Sequence, residues 1–366
     1  MEADRPWGLT DEAHPELFDL RAKPTQPVTK PGQLSEEDLR KYFEDGYVVV
    51  KDVFTNEQLD ACKDAINHKV EQLAHTLFDA GKIKNLYSDH GFNDRLTLIE
   101  QEFPGANILL HKKGAIPEAF RRLWTSEKLL NIAEQLIGPD IMGHPVWNLR
   151  TKTPNSEATT VPLHQDVAYL DTDSYKVHQP TAWAPLLDST EQNGCLEVAH
   201  RGHKTGKVGE HLGCYGNTWY VWLEEKEMEK TLEINPKTDF VVCPVPYGGI
   251  LLFNNMVPHR SLPNKSDKIR WSIDMRFQRP DLPVGFYGLK QGILFRSPSK
   301  PNHVINWDEF EAVDRKQIQQ STVTEGKTKD EFDTTVQGPW MTKWRIVHVN
   351  RHVEKLRAEG TSWHSS

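Results

Sequence analysis

The chain has 366 residues, 37% hydrophobic and 26% charged, with a formal net charge of −8 at pH 7. That is enough for one large domain or two ordinary ones, with ample core material for a soluble protein. The acidic balance gives no reason to expect nucleic acid or an anionic membrane surface as a partner, and no window approaches the roughly 18 consecutive apolar residues of a membrane span.

Residues 1–34 contain RAKPTQPVTKPGQ and read as an arm that is poorly ordered or wraps the surface. The first twenty residues are acidic and lack an apolar run, so no secretory signal is expected. Ser35 with Asp38 resembles a capping box opening a helix that stops at Gly46. YVVVKDVF (47–54) reads as a strand. Thr55 with Gln58 caps a second helix ending at Gly81, with Leu59, Cys62, Ala65, Ile66 and Val70 on one buried face. A third helical region is predicted over 116–137, ending at Gly138-Pro139.

After about residue 140 the texture changes to short apolar runs between Gly, Pro, Asn and Asp clusters. The runs include MGHPVWNLRTKT, ATTVPLHQDVAY, PTAWAPLLD, GCLEVAH, DFVVCPV, GGILLFNN, PHRSLPN and IRWSIDMRFQ. Eight short strands with turn signals predict a mainly β fold with flanking helices, a double-sheet jelly roll. The expected organisation is a single domain over 35–290, helical over 35–140 and β-rich over 141–290. A stretch at 204–238, holding Trp219, Tyr220, Trp222 and LEEKEMEK, reads as an insertion over one mouth of the barrel. Residues 291–366 read as an extension that packs on the core. Cys62, Cys195, Cys214 and Cys243 are scattered, without CxxC pairing, so a reducing, cytoplasmic setting is expected. The ending SWHSS is not a peroxisomal tripeptide.

Within VPLHQDVAYLD, His164 and Asp166 stand one residue apart. Alternate residues of a strand share a face, so His-x-Asp can present two ligands to one point. An isolated pair of this kind is ordinarily the wet side of a strand, and a third ligand is needed. His259 supplies a candidate at the start of a predicted strand. Eleven residues later, across a turn of Asn, Lys, Ser and Asp, Arg270 opens the next strand. Two histidines and a carboxylate form the facial triad of non-haem Fe(II) oxygenases, with positions left open for a 2-oxo acid and dioxygen. An arginine fork pairs bidentately with a carboxylate, such as the far one of 2-oxoglutarate.

FEDGYVVVKDVFTNEQL, LRTKTP ahead of PLHQD, TAWAPLLDSTEQNGCLEVAHRGHK and PHRSLPNKSDKIRWS together resemble the phytanoyl-CoA dioxygenase family of Fe(II)/2-oxoglutarate-dependent oxygenases, over residues 35–278. The resemblance implies a double-stranded β-helix, cupin-like core, with Fe(II) held by His164, Asp166 and His259. It implies that Arg270 holds the distal carboxylate of 2-oxoglutarate, helped by Lys152 and Ser261. Trp183 would wall the pocket, and Asn148 and Ser272 are further candidates. Tyr169 and Arg276 are candidates to touch substrate. The implied reaction consumes O2 and 2-oxoglutarate, releases succinate and CO2, and oxidises a C–H bond of a small organic substrate. One departure is Ala-His-Arg-Gly-His at 199–203, where many relatives carry Pro-Gly-Ser-His; His203 keeps its place. Asp166 is retained, whereas halogenating relatives replace that carboxylate. An acyl-CoA thioester is the alternative substrate class, although no cradle for its phosphates is visible. A non-catalytic jelly-roll binding module, with a vestigial or zinc-occupied site, and a zinc hydrolase are the rival readings. Neither has a use for Arg270.

Overall fold

Helix α1 (Glu36–Asp45) begins where Ser35 accepts a hydrogen bond from the Asp38 amide, and ends at Gly46, whose φ of 93° suits a residue without Cβ. The box there is half formed: Asp38 accepts from the Ser35 hydroxyl instead of reaching back to the Ser35 amide. After β1 (Tyr47–Val50), helix α2 (Asn56–Asp79) has the complete box between Thr55 and Gln58. Two helices that the sequence did not signal follow, α3 (Arg95–Glu102) and α4 (Ala106–Lys112). The helix expected over 116–137 is two, α5 (Glu118–Trp124) and α6 (Glu127–Ile137). The break falls at Thr125-Ser126, where the Thr125 hydroxyl donates back to the Arg121 carbonyl.

The computed structural model describes residues 5–20, 29–112, 115–315 and 331–358. The proline-rich part of the expected arm (21–28) and the final residues 359–366 lie outside that range. Twelve further strands follow β1: β2 (Ile141–Gly143), β3 (Asn148–Lys152), β4 (Pro180–Pro185), β5 (Leu196–Ala199), β6 (His211–Gly213), β7 (Trp222–Leu223), β8 (Phe240–Cys243), β9 (Ile250–Asn254), β10 (His259–Ser261), β11 (Arg270–Gln278), β12 (Ile293–Arg296) and β13 (Arg345–Ile346). The large sheet has the order β1-β9-β4-β11-β2-β12, with β3 also on β11. A second sheet is β10-β5-β8, and a third joins β13 to β6-β7. Every pairing is antiparallel except β13 with β6. Trp183, Leu251 and Phe253 of the large sheet meet Leu196, Val198 and Cys243 of the second in one apolar cluster. The fold is therefore mostly antiparallel sheet with flanking helices.

Strand β11 is buried throughout. Alternate residues of a strand point to opposite faces. Trp271, Ile273, Met275 and Phe277 join the core that the helices build on one face, and the Trp271 indole donates to the Phe92 carbonyl at 2.7 Å. Arg270, Ser272, Asp274 and Arg276 take the other face, towards the second sheet.

The run at 158–169, read as a strand, is not one. Pro162 lacks an N–H for a ladder, and the Val161 amide donates to the Ser261 hydroxyl. The carbonyls of Val161 and Leu163 each accept one backbone bond, from Ser261 and Leu223, and His164 forms an isolated bridge to His259. A 3-10 turn then begins at Asp166.

The segments flanking the sheets pack against them. Trp7 donates to the Thr342 carbonyl and Tyr175 to the Gly8 carbonyl. Strand β12 extends the large sheet through β2, while Trp340, Met341 and Trp344 enter the core. Among the described residues, no helix is long and apolar enough to cross a membrane.

His144, His203 and His352 are fully buried. Burial pushes them down to about 3, about 4 and about 4 respectively. The unfolded chain therefore binds more protons than the native one below pH 6.5, so this stability is complete above that value and is lost as pH falls towards 4. By pH 5 the loss amounts to about 2 kcal/mol for each such imidazole. Melting temperatures at fixed ionic strength should fall steadily from pH 7 to pH 5; a flat profile would contradict buried neutral imidazoles.

Candidate active site

His164 and His259 face one another across an antiparallel bridge. Each amide donates to the other's carbonyl, at 3.0 and 2.9 Å. The rings lie with centroids 4.3 Å apart. The His164 Nδ1 lies 2.8 Å from the Pro162 carbonyl and the His259 Nδ1 3.0 Å from the Val257 carbonyl. A carbonyl can only accept, so each Nδ1 carries the proton and each Nε2 presents a lone pair. Both Nε2 atoms point at Asp166 Oδ1, at 3.5 and 3.9 Å. Burial, then the neighbouring His164, push the His259 imidazole down to about 4, so it is neutral at ordinary pH.

Asp166 reaches this point from the 3-10 turn. Its Oδ2 accepts from Arg276 Nε (3.1 Å), Arg276 Nη2 (2.9 Å) and the Thr181 hydroxyl (3.2 Å). Burial by itself would raise its carboxyl. The Arg276 guanidinium, followed by the two imidazoles, holds it well below the usual carboxylate range. One oxygen is thus tied up and the other is left for a cation. Among the described residues, these three form the only cluster of potential metal ligands, with ligand atoms within 4.8 Å of one another. Two imidazoles and one carboxylate, all buried, suit a divalent metal that keeps open positions.

The same cavity is also lined by Lys152, Trp183, Ser261 and Arg270. Arg270 and Lys152 stand opposite each other in the β11/β3 pairing. Both are buried, and among the described residues neither forms an ion pair with a carboxylate. Arg270 Nη1 donates to the Ser272 hydroxyl at 2.6 Å, and the guanidinium lies over the Trp183 ring, 5.0 Å from its centroid. Its Nε is buried without a hydrogen-bond partner. Burial pushes Arg270 down to about 10; burial and then Arg270 push Lys152 well below its usual value. Two buried cations with a donor unused suit an anion. Lys152 also donates to the Thr160 hydroxyl, while Ser261 accepts from the Val161 amide.

The remaining candidates have other neighbours. Ser272 does not line the cavity; it touches Arg270 and so steadies its fork. Asn148 lines an adjoining chamber, where its side chain sits between Asp274 and Arg315. Arg276, expected to meet substrate, is turned to Asp166 because that buried carboxylate needs a countercharge. Tyr169 lines the adjoining chamber, and its hydroxyl accepts from the Val221 amide at 3.2 Å. The histidines at 199–203 are not part of the ligand cluster: His203 donates to the Phe43 carbonyl, and His200 lies beside Asp45.

Several residues escaped sequence reading. Thr181 carried no signal. Arg150, which bonds Asp274 at 2.8 Å, and Asp274 itself were readable only as charges on strands. Lys343 is fully buried, and its ammonium donates to the carbonyls of Val167 and Leu170, clamping the turn that starts at Asp166. It lies 177 positions from Asp166, and only the folded chain joins them.

A model of the phytanoyl-CoA dioxygenase (PhyH) family matches residues 42–272. The phytanoyl-CoA dioxygenase domain-containing protein 1 of Danio rerio is 25% identical over 272 residues, covering 65% of this chain and 87% of that protein. The 1-deoxypentalenic acid 11-beta-hydroxylase of Streptomyces arenae is 27% identical over 178 residues, covering 46% of this chain and 59% of that enzyme. Among solved structures, the apo non-heme monooxygenase ThoJ aligns with a TM-score of 0.51 at 18% identity, covering 77% of this chain and 97% of that one. That likeness is one of fold.

If Arg276 orients Asp166, Arg276→Met should weaken divalent-metal binding by roughly ten- to a hundredfold. The loss should be larger at pH 6 than at pH 8, because the carboxyl regains its proton without the guanidinium. Titration calorimetry with Mn(II) measures this, and unchanged or tighter binding would contradict the assignment.

Proposed function

The chain belongs to the phytanoyl-CoA dioxygenase family, and from that premise we propose that it is an Fe(II)/2-oxoglutarate-dependent dioxygenase that hydroxylates an unactivated C–H bond of a small organic substrate. The observation that carries this reading is one cavity holding both a three-ligand metal cluster and two buried cations that, among the described residues, no carboxylate pairs with. A binding module or a zinc hydrolase has no need of the second feature. In this reading the sheets form a jelly-roll barrel within an oxygenase domain at 35–290, acting in a reducing cytoplasm where four buried cysteines stay free.

His164, Asp166 and His259 would hold Fe(II), and Arg270 with Lys152 would pair with the distal carboxylate of 2-oxoglutarate. When bound, the metal and cosubstrate supply dioxygen activation, with decarboxylation to succinate and CO2. The chain's own share is positioning and exclusion of water. The Pro162 and Val257 carbonyls fix both imidazole tautomers, so neither ligand must change its proton as the metal arrives. Arg276 and Thr181 keep Asp166 ionised and leave one oxygen unpaired. Ser272 and Trp183 hold the Arg270 fork before any anion enters, which lowers the cost of ordering it on binding. Phe253 and Leu196 close the apolar side of the cavity and limit access of water.

Anaerobic Fe(II) plus 2-oxoglutarate should give a weak visible charge-transfer band and, on admission of air, slow succinate release. His164→Ala and Asp166→Ala should abolish both. Arg270→Ala should leave metal binding intact and raise the 2-oxoglutarate concentration needed by at least about tenfold, as expected for losing a buried charge partner. An iron-loaded, folded wild-type protein with neither band nor succinate would contradict this function.

A further inference from the structure

The metal cavity adjoins a second chamber. The two share His111, Arg150, Asp166, Trp219, Tyr220 and Arg276, so a molecule seated in the chamber borders Asp166 of the metal cluster. Its apolar wall is largely aromatic, Tyr169, Trp219, Tyr220, Phe286 and Trp340, with Val146, Leu170 and Val336 between them. Three guanidiniums line it, from Arg150, Arg276 and Arg315. Two are answered by carboxylates, Arg150 by Asp274 and Arg276 by Asp166. The third is not. Arg315 is buried, yet among the described residues its hydrogen bonds go only to the Asn148 side-chain oxygen (3.2 Å) and the Pro145 carbonyl (3.5 Å). Among the described residues it forms no ion pair. Burial, then Arg276 and Arg150, push its guanidinium down to about 9. Arg315 also lies outside the stretch 42–272 that the family model matches, so the charge is supplied by this chain's C-terminal extension.

A buried guanidinium held by two neutral oxygens carries an unmet charge. In a chamber with a largely aromatic wall beside a metal site, one negative charge on an apolar body would meet it. We propose that this chamber binds the substrate and that the substrate is an organic monocarboxylate with a flat apolar or aromatic body, its carboxylate held by Arg315. One unanswered cation matches a monoanion better than a phosphate monoester. This inference rests on the oxygenase reading, which makes the occupant of the chamber a substrate.

The test pairs acids with their primary amides: phenylacetate, 4-phenylbutyrate and indole-3-propionate, with phenyl phosphate as the other oxyanion. Binding is read from tryptophan fluorescence, since Trp219 and Trp340 line the chamber, in protein loaded with Mn(II) and saturating 2-oxoglutarate. At least one acid should bind roughly tenfold or more tightly than its amide, as expected for a charge pair in a buried site. Arg315→Gln should erase that preference, and Arg315→Lys, which keeps the charge, should retain it. Three outcomes overturn the proposal. Acid and amide are indistinguishable in every pair, by equal binding or by none. The preference survives in Arg315→Gln. Phenyl phosphate is favoured over every acid. The charge-transfer band of the wild-type protein with Fe(II) and 2-oxoglutarate separates the two levels. With the band present, failed discrimination removes only the carboxylate inference; without the band, the oxygenase reading fails.

Discussion

Strand β11 runs through the middle of the molecule with both faces covered, yet every second side chain on it is polar. A polar group out of water must find a partner, and the partners found by this row make up the site. Arg270 rests on Ser272 and Trp183. Asp274 accepts from Arg150 and Asn148. Arg276 reaches past the strand to Asp166. A single nine-residue strand therefore carries the unpaired guanidinium of Arg270 at one end and, towards the other, the partner of the Asp166 carboxylate. The apolar face of the same strand fixes its register against the helices, so the helical layer sets the geometry of the charges indirectly.

The two histidines depend on a different constraint. His164 sits in an irregular segment and forms an isolated bridge to His259. Reciprocal amide–carbonyl bonds hold the two residues opposite each other, and the carbonyl two residues before each ring fixes its tautomer. The arrangement needs little regular structure around it. Asp166 needs more support, and obtains it from Arg276, from Thr181 and from the turn that Lys343 clamps. The C-terminal segment is in this way tied both to the metal-binding turn, through Lys343, and to the adjoining chamber, through Arg315.

Much of this was legible in the sequence, and the limits have physical causes. Caps at Ser35 and Thr55 and the stop at Gly46 are local chemistry, and they appear where the residues place them. The spacing of His164, Asp166, His259 and Arg270 marked the site because few residue types suit a metal that keeps open positions. The reason given for the His-x-Asp pair was incomplete. The two residues were expected to share the face of a strand, whereas Pro162 interrupts the ladder and Asp166 projects from a 3-10 turn. The alternation in RWSIDMRFQ was visible, but alternation alone does not say whether the polar face meets water or a buried cavity. Helices α3 and α4 have short, mixed periodicity and left no clear signal. Arg315 and Lys343 could not be read at all, because their roles arise from contacts with residues more than 160 positions away.

The most direct test of the central claim is anomalous diffraction at the iron edge, on crystals grown anaerobically with Fe(II) and 2-oxoglutarate. The account predicts a single iron peak within bonding distance of the His164 and His259 Nε2 atoms and of Asp166 Oδ1, with the far carboxylate of the cosubstrate on the Arg270 guanidinium. Iron bound elsewhere, or cosubstrate seated away from Arg270, would contradict it.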